Sequence, residues 1–92
     1  MEFNADTPSW SQYANSLGAS LRELRISRGL SQEEVAVAAG ISRYTYQKFE
    51  KGESRPGTSA NPSLQNVLAL CQVLGVPIER LLPSPPPDLS DR

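Results

Sequence analysis

The chain has no histidine and a single cysteine, Cys71. Without imidazole it lacks the side chain that ordinarily titrates near neutrality, which removes histidine general bases and histidine metal ligands. One cysteine makes neither an internal disulfide nor a cysteine-rich metal site. No apolar run approaches the ~18 residues of a membrane span. The opening stretch, MEFNADTPSW, is acidic and lacks the apolar segment of a signal peptide. The chain therefore reads as cytoplasmic, with no cofactor, no metal and no membrane partner. It also reads as a non-enzyme: there is no acid pair, no nucleophile–base set and no glycine-rich phosphate loop.

What is present suits one small folded unit. The 92 residues are 38% hydrophobic, enough for a core but for no more than one domain. Net charge is -1, which by itself argues against a polyanionic partner. The distribution argues otherwise. Residues 21–55 carry seven cations (Arg22, Arg25, Arg28, Arg43, Lys48, Lys51 and Arg55) against five glutamates, while both flanks are net acidic.

The apolar periodicity is helical throughout. Thr7 followed by Pro8 predicts a helix start, and Trp10, Tyr13, Ala14, Leu17, Leu21 and Leu24 continue one stripe to near Gly29. Gly18 interrupts it, which predicts a bend or a close neighbour. Ser31 and Glu34 form a capping box for a second helix that stops at Gly40. Ser42 caps a third, with Tyr46 and Phe49 inward and Gly52 at its end. Residues 53–61 read as a Gly/Pro/Ser loop. Pro62 or Ser63 opens a fourth helix with Leu64, Val67, Leu68, Cys71 and Leu74 inward. Pro77 starts a short fifth, stopped by Pro83. The expected organisation is a flexible tail over 1–7, one domain over 8–83 and a Pro-rich disordered tail over 84–92. Cys71 reads as a small buried thiol.

The informative segment is QEEVAVAAGISRYTYQKFE, from Gln32 to Glu50. A small Ala36 allows two short helices to cross closely, and Gly40 supplies the tight turn between them. With LRELRISRGLS before it and KFEKG and NPSLQNVLALCQVLGVPIERLL after it, this segment resembles the Cro/repressor-like, XRE-type helix-turn-helix family over residues 20–82. The resemblance implies an all-α, compact five-helix, lambda-repressor-like domain, here with an N-terminally extended first helix. It implies binding to duplex DNA, commonly as a homodimer on an inverted-repeat operator.

The helix from Ser42 to Lys51 then matches the recognition helix. Its outward face carries Arg43, Tyr44, Gln47 and Lys48 as base-contact candidates, because Arg pairs with guanine and Gln with adenine in the major groove. Gln32, at a helix start, together with Lys51 and Arg55, are phosphate-contact candidates, with a surface-loop role equally open for Arg55. Arg25 and Glu50 match a structural ion pair of the family. Two features depart from its pattern: Tyr46 stands where Ile or Val is usual, and the loop ESRPGTSAN is longer than usual.

Trp10, Tyr13, Ile78, Leu81 and Leu82 are candidates either for a dimer seam or for core cover. The function implied is a sequence-specific DNA-binding transcriptional regulator, with repressor as the expected sign. The alternative is an antitoxin-like or adaptor module that binds an unidentified protein partner on the same fold.

Overall fold

The computed structural model describes residues 7–90. Five helices and one hairpin follow in the order α1 (Trp10–Ser27), α2 (Gln32–Ala39), α3 (Arg43–Lys51), β1 (Glu53–Arg55), β2 (Thr58–Ser59), α4 (Leu64–Leu74) and α5 (Ile78–Leu81). The start of α1 falls two residues later than Thr7-Pro8 suggests. Ser9 is the cap: its hydroxyl accepts from the Gln12 amide at 3.1 Å, and the Gln12 side chain accepts from the Ser9 amide at 2.9 Å. That reciprocal pair satisfies two orphan donors at Ser9 in place of the expected cap at Thr7. Helix α2 opens on the same device at Ser31 and Glu34, while α3 and α4 use the hydroxyls of Ser42 and Ser63.

The core is one cluster fed by every helix. Leu17, Leu21 and Leu24 of α1 meet Val35 and Ala36 of α2, Tyr46 and Phe49 of α3, Val67, Leu70, Cys71 and Leu74 of α4, and Leu81 of α5. In α4 the stripe differs from the expected one. Leu64 and Leu68 are 67% and 44% exposed, and Leu70 is buried instead. Positions 67, 70, 71 and 74 follow the three–four spacing of one face, and 64 and 68 lie to the side of it. Leu81 is 1% exposed, so it belongs to the core and not to a dimer seam, while Ile78 and Leu82 are half-buried.

The segment read as a loop contains an antiparallel hairpin. Glu53 pairs with Ser59 and Arg55 with Thr58, leaving Pro56-Gly57 at the tip. The Ala60 amide closes its base on the Gly52 carbonyl at 2.9 Å. Two- and three-residue strands have no alternation to detect. The Pro-Gly pair was the available signal.

The C-terminal segment runs back along the start of α1. The Tyr13 hydroxyl donates to the Pro83 carbonyl at 3.0 Å, and the Asp88 amide donates to the Pro8 carbonyl at 3.1 Å. Trp10, half-buried, stacks on Tyr13 with ring centroids 5.9 Å apart. The expected tail over 1–7 lies outside the described residues except for Thr7, as do residues 91 and 92 of the C-terminal tail.

Helix α1 packs most extensively on α3, and at Gly18 the α3 backbone lies close against it. A methyl group there would meet the Glu50 carbonyl oxygen and stand 2.7 Å from that of Phe49. Both are backbone atoms of α3 and have no side-chain freedom with which to yield. Gly18→Ala therefore destabilises the fold by ~1–3 kcal/mol through overpacking, against the ~1 kcal/mol that helix propensity alone would add. Urea unfolding of the two proteins measures the sign directly.

Candidate nucleic-acid interface

The turn between α2 and α3 is set by the backbone. Gly40 takes φ of 75°, and the Ile41 amide donates to the Ala36 carbonyl at 3.0 Å. Ser42 then caps α3, accepting from the Thr45 amide at 3.0 Å. Helix α3 is strongly two-sided. Its inner face carries Tyr46, with no exposed surface, and Phe49.

Glu50 fastens that inner face to α1. The Arg25 guanidinium is bidentate on its carboxylate, Nε to Oε2 at 2.6 Å and Nη2 to Oε1 at 3.2 Å. The two side chains are only 13% and 5% exposed. A third arginine nitrogen, Nη1, donates to the Leu30 carbonyl at 3.0 Å, which ties the α1–α2 connection to the same pair. Burial opposes ionisation of Glu50. The hydrogen bonds of Arg25, the nearby Tyr46 hydroxyl, the Gln32 amide and the arginine's charge outweigh it, so the carboxyl lies below the usual glutamate range.

The Tyr46 hydroxyl is buried beside this pair; it has no well-formed hydrogen bond among the described residues, but it faces the Glu50 carboxylate and helps to keep it ionised. Burial, and then the neighbouring Glu50 carboxylate, push its phenol well up. Tyr46 thus fills the core with its ring and sets its hydroxyl against the ion pair.

The outer face of α3 presents the base-contact candidates. Arg43 is exposed and Tyr44 is 68% exposed. The Lys48 ammonium sits 4.2 Å from the centre of the Tyr44 ring, a cation–π pair that holds both side chains on this face. Gln47 is half-buried between them and α2. Of the phosphate candidates, Lys51 and Arg55 are brought together. They line an open cleft of about 240 Å³ whose walls are Tyr44, Gln47, Lys48 and Lys51 on α3 and Glu53, Ser54, Arg55 and Pro56 on the hairpin. Arg55 is tethered by Nε to the Thr58 hydroxyl at 3.4 Å. Gln32 lies apart from that cleft. It lines a second open depression with Arg25, Ser31, Glu33 and Arg43.

Two features of the site are not legible in the sequence. One is the hairpin, which turns Arg55 from a loop charge into the far wall of a cationic cleft. The other is that Gln32 is engaged internally: its Nε2 donates to Glu50 Oε1 at 3.1 Å, and its Oε1 accepts from Gln47 Nε2 at 3.3 Å. Trp10 and Tyr13 on α1, Ile78 and Leu81 on α5 and Leu82 just after it are not among the residues of either depression.

Two consequences are measurable. Breaking the ion pair by Arg25→Ala leaves a buried carboxylate uncompensated, a loss of ~3–5 kcal/mol, and a double-mutant cycle with Glu50→Ala returns a positive coupling energy. Because the folded-state pKa of Glu50 is depressed, its stabilisation is complete above the unfolded-state value, near 4.5, and is lost as pH falls through the lower folded value. Glu50→Gln removes that part of the acid sensitivity. Tyr46→Phe removes a buried hydroxyl that has no well-formed hydrogen bond but is a polar neighbour of Glu50, so thermal unfolding shows a change of no more than ~1 kcal/mol in stability.

A family model described as a helix-turn-helix domain matches residues 16–82. The cryptic phage CTXphi transcriptional repressor RstR of Vibrio cholerae is 40% identical over 62 residues, covering 67% of this chain and 50% of that protein. The chain spans about half the length of the curated relatives it matches. Among solved structures, the restriction-modification controller protein C.AhdI of Aeromonas hydrophila superposes with a TM-score of 0.66 at 35% identity, covering 75% of this chain and 96% of that one. A hypothetical transcription factor from Neisseria, NHTF, superposes with a TM-score of 0.67 at 28% identity, covering 89% and 86%. With the family model covering most of its length, the chain belongs to the helix-turn-helix domain family.

Proposed function

We propose that this chain is a sequence-specific, duplex-DNA-binding transcriptional regulator, a repressor, that reads the major groove with α3. The observation that carries the reading is the two-sidedness of that helix. Tyr46, Phe49 and Glu50 fix its inner face, and Arg43, Tyr44, Gln47 and Lys48 stand together on its outer face. Repression is the activity named for the Vibrio relative, and it requires only occupancy of a site that overlaps a promoter. The donors for bases and phosphates on the same face support action by binding rather than catalysis.

Arg43 and Gln47 act as base readers, while Lys48 and Tyr44 work at the groove wall. Gln32, Lys51 and Arg55 hold phosphates, the last two from either side of the cleft. The binding unit is a homodimer on an inverted repeat, with half-sites about 34 Å apart. Because the chain is net acidic, non-specific affinity is weak, and the second half-site supplies much of the binding.

The test is selection of bound duplexes from a random library, followed by titration of the enriched site across salt. An inverted repeat is enriched, and its binding weakens as salt rises. Arg43→Ala lowers affinity by ~1–3 kcal/mol and relaxes selection at one base pair, whereas Lys51→Ala weakens all sequences alike and reduces the salt slope by about one. If no sequence is enriched and retention stays at background in low salt, the protein-binding adaptor reading takes its place.

A further inference from the structure

We infer that Glu50, acting through Gln32, sets the orientation of the Gln47 amide and so restricts the base that Gln47 accepts to adenine. The inference rests on the DNA-reading role proposed above for α3, and follows from the donor and acceptor chemistry of three side chains in series.

An ionised carboxylate only accepts hydrogen bonds. Glu50 is held in that form by the bidentate Arg25, so the group that Gln32 turns toward it at 3.1 Å is the NH2 and not the carbonyl. The Gln32 Oε1 then faces the other way. It accepts from Gln47 Nε2 at 3.3 Å. One amide orientation thus dictates the next. Reversal of Gln32 would set its carbonyl against the carboxylate and its NH2 against that of Gln47, two mismatches in a part-buried chain.

The chain also removes a donor. A free glutamine amide offers two N–H groups and an acceptor, and can serve guanine by giving both N–H groups to O6 and N7, or adenine by accepting from N6 and donating to N7. With one N–H engaged by Gln32, Gln47 retains one donor and one acceptor. That pair complements adenine and leaves guanine's second acceptor unmet. Gln32 and Glu50 are positioning residues for specificity, and any phosphate contact from the second Gln32 N–H is compatible with this role.

The experiment repeats the duplex selection with the wild-type chain, Gln47→Ala, Gln32→Leu and Glu50→Gln. Gln47→Ala identifies the base pair that Gln47 reads, as the position where preference disappears. At that pair the wild type prefers adenine to guanine by at least about fivefold. Gln32→Leu brings the ratio to within about twofold of unity while the preference at the Arg43 pair persists. Gln32 lies at the edge of the core and Arg25 remains on Glu50, so this variant stays folded even if Glu50→Gln does not. A Gln32→Leu variant that binds more weakly but keeps the wild-type preference at the Gln47 pair makes Gln32 a phosphate contact only and overturns the inference. A guanine or pyrimidine preference there in the wild type overturns it as well. A wild-type chain that enriches no sequence removes the DNA-reading role together with it.

Discussion

The buried pair between Arg25 and Glu50 is the constraint on which the remaining geometry depends. Replacing such a pair with apolar residues is often neutral or better for stability, so net stability does not explain it. Direction does. Three guanidinium nitrogens are committed, two to the carboxylate and one to the Leu30 carbonyl, so the end of α1, the entry to α2 and the end of α3 meet at one point. Apolar packing alone is nondirectional and would let α3 slide or roll. A bidentate fork does not. Gly18 makes the approach possible, because a single methyl group there would separate α1 from the carbonyls of Phe49 and Glu50.

From that fixed point the outer face of α3, proposed above to read DNA, is braced from behind. Tyr46 and Phe49 anchor α3 from below, and the amides of Gln32 and Gln47 extend the polar chain outward from the buried carboxylate. Side chains preset in this way lose less freedom on binding. The same network reconciles an acidic chain with the proposed polyanionic partner. Glu50 is neutralised internally, and Lys48, Lys51 and Arg55 gather around one cleft against Glu53 alone, so the local charge there differs in sign from the total.

Much of this was legible in the sequence because it is local. Ser31 with Glu34, the turn at Gly40 and the stripe Leu17–Leu21–Leu24 each depend on spacing within one element, and spacing is what a sequence displays. The ion pair was legible only through resemblance, since Arg25 and Glu50 are distant in the chain. What escaped has physical reasons. Ser9 superseded Thr7-Pro8 as the cap because its reciprocal partner, Gln12, satisfies more donors. Leu64 and Leu68 looked buried because they are apolar and near the stripe, yet the packing of α4 is centred on Val67, Leu70, Cys71 and Leu74. The hairpin is too short for alternation, and the Glu50–Gln32–Gln47 series depends on side-chain directions set only after α2 and α3 are crossed.

The most direct test of the central claim, that α3 is an oriented reading face held from behind by the ion pair, is amide chemical-shift mapping of the full chain titrated with a duplex carrying the selected site. The account predicts perturbations concentrated at Gln32, Arg43 to Lys51 and the hairpin around Arg55, with the amides of α4 and the first turns of α1 little changed. Perturbations confined to α5 and the start of α1, with α3 silent, would contradict it.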